Sequence, residues 1–203
     1  MKKLLFVSFI SILIFSGCGN QKNHKSVDNL KAGIKGETTA SAKYADFAEK
    51  ARTEGFGNIA ILFDAASYSE SIHAANHRKA LVELGEKMDD FKPEFEVKTT
   101  SENLPVAIEG ESYEVATMYP QFLADAETEK AVSVVSTFTW ALNAEKKHLD
   151  FYQKALTALQ QKAQNTLPSG YAVCPVCGNT FKKSEIVNYC PSCGTLEVQF
   201  HKF

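Results

Sequence analysis

Beyond its first few residues the chain has no basic run, no repeat of the solenoid kind, and no apolar stretch of the roughly 20 residues that a membrane-spanning helix needs. With a formal charge of −2, the missing basic run argues against a nucleic-acid binder. There is a single tryptophan, while Ala, Glu, Lys and Leu recur at spacings of three and four, so the middle of the chain reads as helical. Cysteine is scarce too: of five, four fall in one C-terminal quartet and Cys18 stands apart. At 203 residues and 44% hydrophobic content, the chain is long enough for one good core plus a small extra module.

The N-terminus reads as a targeting segment and not as part of the fold. Lys2 and Lys3 precede an apolar stretch from Leu4 to Phe15, and Ser16-Gly17-Cys18 follows. Small residues before a cysteine resemble the lipobox of bacterial lipoproteins, in which the cysteine is acylated and becomes the new N-terminus. Phe15 departs from the leucine usual at that point. A plain cleaved signal and an uncleaved anchor are the alternatives. The expected division is a signal over 1–18, a polar tether over 19–26, a helical bundle over 27–164 and a small cysteine module over 165–203.

Four long periodic segments follow the tether. The first, over 27–52, aligns Leu30, Ile34, Glu37, Tyr44, Phe47 and Ala51, and Gly55-Phe56-Gly57 stops it. The second, over 58–88, puts Phe63, Ala66, Glu70, His73 and His77 on one face. After a longer connection through Pro93, the third opens at Thr99-x-x-Glu102, a capping-box pattern, with Pro105 expected in its first turn. It carries Glu111 and Glu114, and a kink is expected at Pro120. The fourth, over 129–161, aligns Glu145, His148, Tyr152 and Leu156.

Glu70-x-x-His73 and Glu145-x-x-His148 are the two informative copies of one motif. Residues three apart lie on the same helix face, so each Glu and His is able to point at one metal ion. A single Glu-x-x-His is most often an exposed helix pair. Two of them, each in an apolar stripe, with acidic residues on the other two helices, form the pattern of ferritin-like di-iron carboxylate bundles. An unpaired buried carboxylate is costly, so Glu37, Glu70, Glu111, Glu114 and Glu145 on inward stripes call for cations. Tyr44 and Tyr119 lie close enough in sequence to donate hydrogen bonds to such ligands, or to be simple core aromatics. His77 reads as a satisfied helix histidine and not a ligand, and His24 and His201 as exposed.

Cys174-Pro175-Val176-Cys177-Gly178 and Cys190-Pro191-Ser192-Cys193-Gly194 form two knuckles, each closed by a glycine that permits positive φ. Together they offer four thiolates to iron or zinc. A structural zinc ribbon, or disulfides in an oxidising compartment, are the alternatives.

With these residues in view, 27–203 resembles the rubrerythrin family. Asn103-Leu104 through Gly110-Glu111-Ser112-Tyr113-Glu114, Met118-Tyr119-Pro120, Glu70-x-x-His73-Ala74, Glu145-x-x-His148 and the short Cys177–Cys190 connection carry the likeness. The resemblance implies an all-α ferritin-like four-helix bundle with a C-terminal rubredoxin-like four-cysteine domain. It implies two non-haem irons held by Glu37, Glu70, His73, Glu111, Glu114, Glu145 and His148, with Glu114 and His73 alternating at one of them. It implies a third iron, with zinc possible in its place, on Cys174, Cys177, Cys190 and Cys193. The implied activity is reduction of hydrogen peroxide to water, with electrons from an unidentified donor passing through the four-cysteine centre. The implied assembly is a head-to-tail homodimer with one subunit's sulfur site near the other's irons. Familiar members are cytoplasmic, so the expected lipid-anchored envelope location of this chain is a departure. A ferroxidase or iron-handling protein, and a structural zinc lipoprotein, are the rival functions.

Overall fold

The computed structural model describes residues 23–203; the expected signal, Cys18 and the first part of the tether lie outside the described residues. Five α-helices come first: α1 (His24–Thr53), α2 (Gly57–Glu83), α3 (Thr100–Tyr113), α4 (Tyr119–Thr128) and α5 (Val132–Gln160). A π-helical turn, Glu114–Met118, joins α3 to α4, so the two act as the third long helix of a four-helix bundle. α1 packs along α2, and α3 and α4 along α5, with the connection 84–99 crossing between the pairs. Among the described residues no helix is long and apolar enough to cross a membrane.

The helix ends correct several expected boundaries. α1 begins at His24, three residues before the expected start, so His24, Lys25 and Ser26 belong to the helix and not to the tether. The Glu129 carboxylate accepts the backbone N–H groups of Lys25 and Ser26 at 3.1 and 2.9 Å, satisfying donors that a first helical turn leaves open. α2 stops at Glu83 because Gly85 turns left-handed (φ 80°) and the Glu86 N–H reaches back to the Leu81 carbonyl. α5 starts at Val132, since Lys130 takes a left-handed conformation (φ 57°) that ends α4. Pro105 lies in the second turn of α3, not the first. It costs little there, because the carbonyl it leaves free belongs to exposed Ser101. The kink expected at Pro120 takes the form of the π turn, closed by the Tyr119 N–H on the Glu114 carbonyl, with Pro120 in the first turn of α4.

Two apolar clusters fill the bundle. One holds Tyr44, Phe47, Phe63, Leu104 and Tyr152; the other holds Leu30, Ile34, Leu81, Met118 and Phe138. The inward glutamates lie between them along the helices. After the bundle comes a three-stranded antiparallel sheet, β1 (Tyr171–Val173), β2 (Thr180–Lys182) and β3 (His201–Lys202), in the order β2-β1-β3. The linker is pinned to the bundle: the Asn58 side-chain amide donates to the carbonyls of Gln164 and Leu167 at 3.3 and 3.1 Å.

Phe63 is fully buried, with rings of Phe47 and Tyr152 at 5.5 and 5.1 Å. Phe63→Ala is expected to cost about 3–5 kcal/mol through lost transfer energy and a residual cavity. Denaturant unfolding of the variant, read against wild type, checks this.

Candidate metal centres

Each helix of the bundle brings acid or imidazole to one level. α1 supplies Glu37, α2 Glu70 and His73, α3 Glu111, and α5 Glu145 and His148, all buried. Their side chains form two quartets: Glu37, Glu70, His73 and Glu145, then Glu70, Glu111, Glu145 and His148, the ligand atoms of each within 4.8 Å of one another. Glu70 and Glu145 belong to both, as carboxylates bridging two metals do. His73 Nδ1 lies 2.8 Å from both Glu70 and Glu145, and His148 Nδ1 lies 2.7 Å from Glu145 and 3.1 Å from Glu70.

The outer carboxylates test whether a metal fits. Tyr44 OH donates to Glu111 Oε1 at 2.9 Å, and Tyr119 OH donates to Glu37 Oε1. In each case the second oxygen, Glu111 Oε2 or Glu37 Oε2, is buried without a partner. A buried acceptor left open costs about 1–3 kcal/mol, more when charged, and a cation between the quartets removes that cost. Oxygen and imidazole donors of this kind suit iron. Tyr44 and Tyr119 thus each hold one oxygen of an outer carboxylate.

Electrostatics point the same way. Burial, then the charges of Glu70 and Glu145, pushes Glu37 up to about 8. Burial and neighbouring carboxylates raise Glu111 and Glu114 well above the usual range. For Glu70 burial works upward, but His148 and His73 outweigh it and hold the group low. Burial alone would lower both imidazoles, yet Glu145 beside His73 and Glu70 beside His148 raise them. Without metal, protons supply the positive charge that the cluster demands.

Glu114 stands apart from the other expected ligands. It opens the π turn, is half-buried and belongs to neither quartet, whereas His73 does. His77 is buried and outside both quartets, in keeping with a satisfied histidine; His24 and His201 are exposed.

The four C-terminal cysteines converge as the knuckles require. Their sulfurs lie within 4.8 Å of one another, and all four are free thiols. Gly178 and Gly194 take φ of 77° and 78°, and their N–H groups turn back to the carbonyls of Cys174 and Cys190. The first knuckle rests on the carboxylate site of its own chain. Ser69 Oγ donates to the Gly178 carbonyl at 2.6 Å, and Asn76 and Lys147 donate to the carbonyls of Val176 and Thr180 at 2.8 and 3.0 Å. His148 Nε2 lies 2.8 Å from Thr180 Oγ1, and a Cβ added at Gly178 would collide with His73 Nε2. The two sites therefore approach each other closely within one chain. No local signal announces Ser69, Asn76, Lys147 or Thr180, because their partners lie some 30 to 110 residues away.

Comparison with known proteins agrees with this geometry. The rubrerythrin family model matches residues 28–156. Rubrerythrin-2 of Clostridium acetobutylicum is 34% identical over 183 residues, covering 90% of this chain and 98% of the relative. Nigerythrin of Nitratidesulfovibrio vulgaris is 34% identical over 176 residues, covering 83% and 81%. The structure of fully reduced, all-ferrous nigerythrin superposes with a TM-score of 0.77 at 32% identity, over 88% of this chain and 86% of that one. A Desulfovibrio desulfuricans bacterioferritin, at 18% identity and a TM-score of 0.65, shares the fold.

The raised groups give the metal-free protein a definite pH dependence. A carboxyl whose folded pKa lies above its unfolded value near 4.5 favours folding below that value, and this stability is lost as pH rises toward about 8 for Glu37. Glu111, Glu114, His73 and His148 are also raised and act in the same direction. Metal-free protein should therefore lose stability, on the order of a few kcal/mol, between pH 5 and 8, whereas metal-loaded protein should not. Parallel thermal melts of the two forms across that range check it; equal slopes would contradict it.

Proposed function

The chain belongs to the rubrerythrin family, and from that premise we propose that it reduces hydrogen peroxide to water at the carboxylate-histidine site, using electrons delivered through the four-cysteine site. The observation that carries this reading is the contact between the two sites. The Cys177-Gly178 knuckle lies against the outer edge of His73, and Thr180 meets His148, so each imidazole faces the carboxylates with Nδ1 and the sulfur module with Nε2. Iron storage needs no such module.

Two irons held by the carboxylate-histidine residues would supply the two electrons that peroxide requires, and one iron held by the four cysteines would relay replacements from an external donor, one electron at a time. The chain's own residues do the rest. Glu70 and Glu145 hold the two metal positions together, with His73, His148, Glu37 and Glu111 completing the two sets. Tyr44 and Tyr119 each hold one oxygen of a terminal carboxylate, leaving the other to face the metals. Burial excludes bulk water from the cluster, which strengthens its electrostatics. Two protons must accompany the two electrons for each peroxide converted to two waters.

We further propose that Cys18 is acylated and that the protein works on the outer side of a cytoplasmic membrane or in the outer membrane, where a membrane-bound or periplasmic donor reduces it. The apolar stretch and Ser16-Gly17-Cys18 support this. In such a setting a head-to-tail dimer would add a second route between sulfur and carboxylate sites.

Two measurements test these readings. Cys174→Ala protein, pre-reduced chemically, should consume peroxide once at an undiminished rate but slow at least 10-fold in steady-state turnover; undiminished steady-state turnover would overturn the electron route. Cys18→Ala should move the protein from the membrane to the soluble fraction with turnover on an artificial reductant unchanged. Wild-type protein found in the cytosol with an intact N-terminus would overturn the location.

A further inference from the structure

One buried histidine is used by neither metal set. His77 follows His73 by one turn of α2 and is fully buried, and both ring nitrogens have partners on other helices. Nδ1 lies 2.8 Å from Thr137 Oγ1 of α5, and Nε2 lies 3.0 Å from Tyr119 OH of α4. Tyr119 in turn donates to Glu37 of α1. The row Thr137–His77–Tyr119–Glu37 therefore takes one residue from each long helix of the bundle. Space for the ring is provided by Gly33 of α1: a Cβ there would lie 3.0 Å from His77 Cδ2. Phe138 closes the other side, edge-on at 5.1 Å.

Counting protons fixes the direction of the row. A metal-bound Glu37 is an ionised acceptor, so Tyr119 must give its only hydroxyl proton to it. Tyr119 oxygen then has to accept, which requires a proton on His77 Nε2. A neutral imidazole carries one proton, so Nδ1 is left as an acceptor and Thr137 must donate to it. Three donors serve three bonds, with none spare. The hydrogen-bond partners Thr137 and Tyr119 are uncharged hydroxyls; the Glu37 carboxylate lies farther off, at 3.9 Å from Nε2, and burial followed by the neighbouring His73 lowers the ring's pKa, favouring the neutral form.

We infer that His77 is a positioning residue of the metal centre: held by Thr137 as the Nε2–H tautomer, it commits the Tyr119 hydroxyl to Glu37 Oε1 and so leaves Glu37 Oε2 for metal. This requires that the centre bind metal, not that it reduce peroxide, so it stands or falls separately from the proposed activity. Partners standing behind a ligand in this way typically govern 10–100-fold in metal affinity.

The test uses full-length protein loaded with zinc as a diamagnetic probe, together with titrations of metal affinity. Nitrogen-15 shifts of His77 should report the Nε2–H tautomer; an Nδ1–H ring or an imidazolium would overturn the inference. Thr137→Val should lower metal affinity about 10-fold, and Thr137→Ser, which restores the hydroxyl, should recover it. Gly33→Ala presses on the ring without touching its hydrogen-bonding atoms: the added Cβ would lie 3.0 Å from His77 Cδ2. Because His77 is tied at both nitrogens, this should displace the ring and weaken metal binding. Wild-type affinity in both Thr137→Val and Gly33→Ala, with both variants folded, would refute the role.

Discussion

Everything in this bundle depends on the compensation of negative charge buried midway along its helices. Four buried carboxylates, one from each long helix, meet two imidazoles, with apolar clusters above and below that keep bulk water from screening them. Two imidazoles cannot neutralise so many acids, and burial together with mutual repulsion raises Glu37 and Glu111 above the ordinary carboxylate range. Such an arrangement is poor as a source of stability, since a well-packed apolar core of equal volume would be at least as stable. It makes sense as a site whose charge is completed by bound cations.

That demand shapes the local structure around it. Tyrosines from α1 and α4 fix one oxygen of each terminal carboxylate, and a glycine on α1 yields space to His77. The third long helix widens into a π turn that opens at Glu114, three residues after the α-helical Glu111. A π turn adds a residue without breaking the helix and so changes which face the following side chains occupy. Glu111, just before the turn, lies inside a quartet, and Glu114, its first residue, lies outside both. The cysteine module then completes the outer surface of the site, with the glycine of its first knuckle lying where any side chain would strike His73.

The parts legible in the sequence are those fixed by local geometry. Glu-x-x-His places two ligands on one helix face whatever surrounds it, and Cys-Pro-x-Cys-Gly builds its own turn, so Glu70, His73, Glu145, His148 and the four cysteines could be read directly. Glycine stops at Gly55 and the capping pattern at Thr99 were legible for the same reason; the Glu102 carboxylate accepts the Thr99 N–H at 3.2 Å. What was not legible depends on partners distant in sequence. α1 starts early because Glu129, about a hundred residues away, caps it. Thr137 and Thr180 look like ordinary helix and strand residues until His77 and His148 are seen beside them. The π turn was anticipated only as a kink, because Pro120 reports a missing donor and not how the backbone will absorb it.

The proposed function makes the two metal sites one unit that passes electrons to peroxide. The most direct measurement is anaerobic mixing of fully reduced, iron-loaded protein with one equivalent of hydrogen peroxide, with both centres followed by stopped-flow absorption and residual peroxide assayed. The account predicts that peroxide disappears, two electrons are withdrawn per molecule, and the thiolate-to-iron bands of the four-cysteine centre return only as it re-reduces the carboxylate site. Peroxide that persists, or a four-cysteine centre that stays reduced while the carboxylate site remains oxidised, would contradict it.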